Sequence, residues 1–404
     1  MMFLLLVILC GAVYAVDTVT GTSTINGETI NWEYNLNSSN EIENLKCTNV
    51  EKLNGSITIP STLDGKAVVS LANEAFKSAS EVTEIVVPSS VKIIGYKAFE
   101  NCTKLNKVNL GSVEDISFSI FKGCTSLTEL TIPKTLKKGS VTPCLDNQNI
   151  TKITFEDGLT IIPDYLCANT GITEIVVPSS VKTIGHKAFE NCTKLNKVNL
   201  GSVEDISFSI FKGCTSLTEL TIPKTLKKGS VTPCLDNQNI TKITFEDGLT
   251  IIPDYLCANT GITEIVVPSS VKTIGQSAFR DCTSLKKITI LDNVNDMGTY
   301  NISNSDSVFQ NHDENLTIYC YEDSMAAKYA IKYKIKYVYL KKENTGNTID
   351  DSNTKKDEVT NDTTISTGKL PQTGEKNAIF ILIAIVVIGG GVLFIRKNKY
   401  KDIK

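Results

Sequence analysis

The chain has 404 residues with a formal net charge of −3 and a pI near 5.7, and 21% of its residues are charged. With charges that alternate in sign and no basic stripe, it lacks the electrostatic footprint of a nucleic-acid binder. By length alone it could hold two domains, but internal repetition points to one continuous array.

In chain order, residues 1–15 are almost wholly apolar and end in Val13-Tyr14-Ala15. This small-x-small pattern predicts a signal peptide cleaved between Ala15 and Val16. No Lys or Arg precedes the apolar run, as expected of a truncated start. Cys10 does not make a lipoprotein signal, because Leu9 stands where a small residue is needed. Residues 16–56 hold the only tryptophan, Trp32.

From residue 57 to 318 the chain repeats. Lys97 to Gly185 and Lys187 to Gly275 are the same 89 residues, a period of 90. Within it, Pro88, Gly111, Pro133, Glu156 and Pro178 recur at spacings of 23, 22, 23 and 22. Units of this length cannot bury an apolar face alone, so they predict a solenoid in which neighbours complete one another's core. In one unit the alternation of Ile85 and Val87 predicts a short strand, and Ile94, Ala98 and Phe99 supply the remaining core. Each unit closes on a residue three before the next inward position, giving a column of Ala79, Cys102, Cys124, Asn147, Asn169, Cys192, Cys214, Asn237, Asn259 and Cys282. Small hydrogen-bonding side chains there are expected to satisfy buried backbone groups.

Segments such as Leu127-Thr-Glu-Leu-Thr-Ile-Pro133 and Lys97-Ala-Phe-Glu-Asn-Cys102 resemble the BspA-type leucine-rich repeats of bacterial surface proteins. The resemblance covers roughly Ile57 to Leu340 and implies a right-handed leucine-rich-repeat solenoid of α/β-type coils with a parallel sheet on one face. It also implies an N-terminal cap at 16–56 and a C-terminal cap at 319–340, in which Ala326 to Ala330 is expected to be a short helix.

An exported chain rich in cysteine invites a disulfide framework, but an array of this size does not need one. The five column cysteines, Cys102, Cys124, Cys192, Cys214 and Cys282, are expected to be buried free thiols. Cys144 and Cys167, with their copies Cys234 and Cys257, fall on neighbouring coils at unequal places, so pairing is open. Cys47 and Cys320 sit in opposite caps. No close cysteine pair recurs with a second pair or with histidine, so no metal and no cofactor are expected.

The outward strand positions form columns. One alternates in sign at every coil, from Glu84, Lys107, Glu129 and Lys152 to Glu264 and Lys287, and predicts that each carboxylate is flanked by two ammonium groups. The next is almost entirely Thr and Asn, and its Thr128, Thr151, Thr218 and Thr241 are the candidate binding face. A third mixes Val86, Asn109, Thr131, Thr154 and Val176. Such a face can hydrogen-bond a partner but lacks the Trp, Tyr and Arg anchors of tight interfaces.

No catalytic residue is identified. His186 stands where Tyr96 and Gln276 stand in equivalent turns, so it reads as a surface histidine, and His312 has no Ser or Cys constellation beside it. Asp292-Asn-Val-Asn-Asp296 has the wrong spacing for a calcium loop.

Residues 341–369 hold no aromatic residue and only three aliphatic ones, which predicts a disordered linker. Residues 370–404 open with Leu370-Pro371-Gln372-Thr373-Gly374, continue through an apolar span at 378–395, and end in a basic tail. Three parts in this order resemble the LPxTG sorting signal of Gram-positive surface proteins. The resemblance implies that a sortase cuts between Thr373 and Gly374 and joins the Thr373 carboxyl to peptidoglycan, so that a membrane span of about 27 Å exists only in the precursor. The expected protein is a secreted, peptidoglycan-anchored surface protein, non-enzymatic, binding a host protein, matrix or glycan ligand as an adhesin. Two other readings stay open: a structural surface-layer protein without a ligand, and a membrane-anchored protist surface protein with the same repeats.

Overall fold

The computed structural model describes residues 18–298 and 308–341. The chain divides into two units, 1–359 and 360–404, and every described residue falls in the first. The expected signal peptide with its Ala15/Val16 junction, nearly all of the 341–369 linker, and the 370–404 segment with its apolar span lie outside the described residues.

The described part opens with a hairpin of β1 (Val19–Ile25) and β2 (Glu28–Leu36), antiparallel from Val19↔Tyr34 to Ile25↔Glu28. Asn26 and Gly27 turn it at φ 49° and 82°, the two positive values that a tight hairpin demands and that Asn-Gly accepts readily. β3 (Ile42–Cys47) then pairs with β2. The Trp32 indole N–H donates to Ser23 Oγ at 2.8 Å, and its ring meets Phe76 edge-on at 5.9 Å. The hairpin also reaches across the start of the array: Asn26 Nδ2 donates to the carbonyls of Asn54 (2.8 Å) and Ser56 (3.1 Å). The outer edge of strand Gly55–Thr58 is thereby covered.

From there the chain is a parallel β-solenoid of about twelve turns. Each turn carries one strand of three to five residues on the sheet side, such as Val82–Val86 or Glu129–Ile132. A two-residue strand such as Ile93–Ile94 lies on the far side. The remainder of each coil is successive turns, so the fold has few helices. α1 (Met325–Tyr333), in the last coil, is the one α-helix among the described residues and contains the predicted Ala326–Ala330. Ser324 caps it by accepting from Ala327 N, and Lys334 ends it at φ 58°.

Each coil sends its apolar side chains into one continuous core. Ile85, Val91, Ile94, Ala98, Phe99, Cys102 and Leu105 are fully buried. Phenylalanines stack from coil to coil at 5.7 Å (Phe76–Phe99), 5.5 Å (Phe99–Phe121) and 5.6 Å (Phe189–Phe211). These spacings are those of offset-stacked rings, and burial of each ring is worth about 1.5–3 kcal/mol.

The closing column is buried as expected, and its side chains do satisfy backbone carbonyls. Cys102 Sγ donates to Phe76 O, Cys124 Sγ to Phe99 O and Cys214 Sγ to Phe189 O at 3.0–3.2 Å. Asn147 Nδ2 serves Phe121 O and Cys124 O, at 3.1 and 2.9 Å. Two members of the column need correction. Asn169 and Asn259 are only half-buried, and the column positions belong to Thr170 and Thr260, both fully buried. The asparagines instead adopt φ 59° and 57°, the left-handed position that Asn101, Gly123 and Asp146 occupy elsewhere. These coils are one residue shorter between column and next core residue, and Gly171 permits the shortcut: a Cβ there would stand 2.1 Å from Gln148 O.

All eleven described cysteines are free and buried, including Cys144, Cys167, Cys234 and Cys257. Burial pushes Cys144 and Cys234 up to about 12 and Cys47 and Cys282 up to about 11. Contact with the Cys102 thiol, then burial, raises Cys124 as well. Thiols out of reach are poor nucleophiles, including Cys192, which burial raises but hydrogen bonds with Cys214 and Thr170 bring below its ordinary value. Alkylation of native protein at pH 8, read by mass spectrometry, should leave Cys102, Cys124, Cys192, Cys214 and Cys282 unmodified until denaturant is added; finding them as disulfides would refute the buried ladder.

Candidate binding face

The sheet side carries the predicted charge column, in a different pairing. Each lysine reaches the glutamate of the preceding strand: Lys107–Glu84 at 2.7 Å, Lys152–Glu129 at 3.1 Å, Lys197–Glu174 at 2.6 Å, Lys242–Glu219 at 3.0 Å and Lys287–Glu264 at 3.8 Å. The expectation that each carboxylate has two ammonium neighbours is corrected. Among the described residues no such pair bridges Lys107 to Glu129 or Lys152 to Glu174.

Backbone pairing explains why. Glu84↔Lys107, Glu129↔Lys152, Glu174↔Lys197, Glu219↔Lys242 and Glu264↔Lys287 are register partners, all 23 residues apart. Where the step is 22, from Lys107 to Glu129 or from Lys197 to Glu219, the sheet is interrupted. Side chains bridge those gaps: Ser126 Oγ donates to Thr103 O, and Ser216 Oγ to Thr193 O, both at 2.7 Å. The 22/23 alternation of the sequence thus becomes a face of paired strands. The Lys107 ammonium, followed by the Ser56 hydroxyl, holds the Glu84 carboxyl below its ordinary range.

Thr128, Thr151, Thr218 and Thr241 are all exposed on this side and fall in two adjacent pairs, one in each long repeat. Thr151 N donates to Thr128 O at 2.8 Å, and Thr241 N to Thr218 O at 2.9 Å. The third column is less polar than it reads. Val176 and Val266 are 55% and 48% exposed, while Asn109 and Asn199 spend their side-chain oxygens on Gly111 N and Gly201 N.

His186 is half-buried rather than fully at the surface. Its ring stacks on Phe208 at 4.2 Å, as Tyr96 stacks on Phe118 at 5.0 Å in the equivalent turn. Its Nδ1 meets the Ser207 hydroxyl, but Asp164, the carboxylate nearby, accepts from the His186 backbone N–H at 2.7 Å. A dyad whose acid turns to the backbone, repeated with Tyr96 in the same place, is packing chemistry. The spacing of 22 from Tyr96 to Phe118 and from His186 to Phe208 carried this signal in the sequence. His312 N donates to Phe309 O at 3.1 Å, which puts it at the next column position after Cys282.

Comparison with known proteins agrees with this geometry. A family model described as BspA type Leucine rich repeat region matches at residues 40–166, 69–196, 141–259 and 184–309. A second, the LPXTG cell wall anchor motif, matches residues 362–402. Similar solved structures include a leucine-rich repeat protein from Bacteroides ovatus, 25% identical, with a TM-score of 0.43 and 75% of this chain and 69% of that one covered. A leucine rich cell surface protein from Faecalibacterium prausnitzii is 19% identical, with a TM-score of 0.32 and coverage of 72% and 94%. The pneumococcal vaccine antigen PcpA is 17% identical, with a TM-score of 0.38 and coverage of 79% and 98%. No curated protein matches the chain significantly.

Proposed function

The chain belongs to the BspA-type leucine-rich repeat family, and from that premise we propose that its solenoid is an adhesive surface. It is a cell-wall-anchored surface protein, and its LPXTG motif implies sortase processing and attachment to peptidoglycan. By the reading we propose, export begins with cleavage at Ala15/Val16, Thr373 becomes the point of attachment, residues 341–369 tether the array, and the 378–395 span is discarded. The solenoid binds and does not catalyse.

The observation that carries the adhesin reading is duplication. Glu129/Lys152 with Thr128/Thr151 recur as Glu219/Lys242 with Thr218/Thr241, in the same register and at nearly the same distances. One such patch, without aromatic anchors, is a weak site; several on one rigid stack engage an extended or multivalent glycan or protein with the avidity that linked weak sites provide. The neutral, ion-paired face also favours a second reading, a spacer that holds other surfaces away from the wall.

Replacing Thr128, Thr151, Thr218 and Thr241 together by lysine tests the choice. All four are exposed, so the array should keep its circular dichroism and melting temperature. Cells bearing the variant should lose attachment to matrix proteins and glycans that the parent binds. Undiminished attachment would remove the sheet face as the ligand surface.

A further inference from the structure

The last coil differs in character from the rest. Residues 328–341 contain five lysines, four tyrosines and no carboxylate. Lys328, Lys332, Lys334, Lys336 and Lys341 are all exposed, and none forms an ion pair with a described residue, in contrast to the strand-face lysines and their glutamates. Ile331, Tyr337, Val338 and Tyr339 are each at least 40% exposed. The Tyr337 and Tyr339 rings lie 5.2 Å apart, and the Lys332 ammonium stands 5.0 Å from the Tyr333 ring.

This coil is also open. The strand Lys336–Tyr339 pairs with Thr317–Cys320 on one side, and no described strand pairs with its other edge. At the opposite end, Asn26 covers the corresponding edge. A stack closed at its first coil and left open, cationic and aromatic at its last calls for a partner at that end. Lys341 is 32 residues from Thr373; at no more than about 3.5 Å per residue, this coil stays within about 110 Å of the attachment point. The surroundings it meets at high local concentration are therefore those of the wall itself.

We propose that residues 328–341 dock onto an anionic sugar-phosphate polymer of the cell wall, an inference that rests on the wall-anchored reading. Exposed ammonium groups match the phosphodiesters as mobile point charges. The faces of Tyr337 and Tyr339, with Ile331 and Val338, supply apolar surface for the sugar rings. Covalent attachment fixes one end of the chain, and docking of the last coil would fix the base of the solenoid.

The test is co-sedimentation of the full chain, purified in detergent so that no sortase acts, with isolated bacterial walls before and after hydrofluoric acid removes their phosphodiester polymers. The parent should bind intact walls and not stripped ones. A variant with all five lysines changed to glutamine, and separately Tyr337→Ser with Tyr339→Ser, should each bind at least about tenfold more weakly. Lys152→Gln with Lys242→Gln, which removes exposed but ion-paired lysines, should bind as the parent does. Equal binding to stripped walls, parent-like binding by both cap variants, or an equal loss in the control would each overturn the proposal. Should the five-lysine variant misfold, the tyrosine pair and competition by soluble polyphosphate decide. Because no covalent linkage forms in this assay, its failure is separable from failure of the anchoring reading, which fractionation of a Thr373 variant tests.

Discussion

Thr373→Ala is expected to empty the covalently bound wall fraction of this protein and send it to the membrane and the medium. The match at residues 362–402 places the Leu370–Gly374 pentapeptide ahead of an apolar stretch and a cationic tail. Proline restricts φ to about −65° and lacks an N–H, so a Leu-Pro-x-Thr-Gly segment offers a recognising enzyme fewer conformations to select among. On the proposed reading, the transferring enzyme attacks the Thr373 carbonyl, keeps the acyl group while Gly374 onward departs, and passes it to a peptidoglycan amine. Alanine leaves that carbonyl in place and removes only the side chain by which the residue is recognised. The effect therefore isolates recognition from chain length, charge and export. It is read by digesting walls with muramidase and immunoblotting the released material. Undiminished release as peptidoglycan-linked species would show that Thr373 is not the acyl donor, whatever holds the protein at the surface.

Period and polarity made most of the solenoid legible. Two short spacings, 22 and 23, located the strand pairs of the repeated coils because the inward residues must return to one side of a stack at each turn, but not the pairs at the two ends, such as Lys287↔Thr317 and Thr317↔Lys336. Spacing alone could not show that a one-residue difference decides whether neighbouring strands hydrogen-bond. A column of alternating charge looks continuous when written out, but Lys107 pairs with Glu84 and not with Glu129, since on the sheet side the 22-residue step leaves the strands unpaired, although on the far side Ile93 and Asp115 pair across 22 residues. Asn169 misleads for a related reason. Asparagine suits both a buried hydrogen-bonding position, as Asn147 shows, and a left-handed turn. The sequence Ala168-Asn169-Thr170-Gly171 carried the answer in its glycine, whose missing Cβ lets Thr170 take the column position one residue later than Asn169.

The candidate face was legible only in part. Thr128, Thr151, Thr218 and Thr241 are exposed, but each stands one residue ahead of its strand, where alternation from the buried Leu130, Ile153, Leu220 and Ile243 would have turned it inward. That Asn109 is already committed to Gly111 N, and that Val176 and Val266 in the same column stand half in solvent, follows from turn geometry that no column of letters displays. The cationic last coil reads in sequence only as a cap, because caps are needed to close a stack. Its lysines carry no periodic signal, and their lack of carboxylate partners is a fact of three dimensions.

Deleting residues 97–186 should leave a folded, cooperative protein, whereas deleting 97–197 should leave an unfolded one. The first cut joins Tyr96 to Lys187. Lys97 and Lys187 have φ values of 53° and 50°, and their N–H groups donate to Phe118 O and Phe208 O in the same way. The chain thus resumes in the same conformation with the same neighbour, and Phe76 meets Phe189 in place of Phe99. Four of about twelve coils are lost, so the denaturant m-value should fall by about a third, in proportion to the surface no longer exposed on unfolding. The second cut joins the turn residue Tyr96 to Val198, in the middle of the strand Lys197–Asn199. It removes the left-handed turn, the Phe189 ring and the Cys192 position of that coil, so the apolar faces on either side have nothing between them. Each lost core side chain of that size costs about 2–5 kcal/mol, and several lost together exceed the roughly 5–15 kcal/mol by which folded domains survive. Urea titrations followed by circular dichroism separate the two outcomes. A sharp transition in both proteins would mean that coil phase is not what the 90-residue duplication preserves.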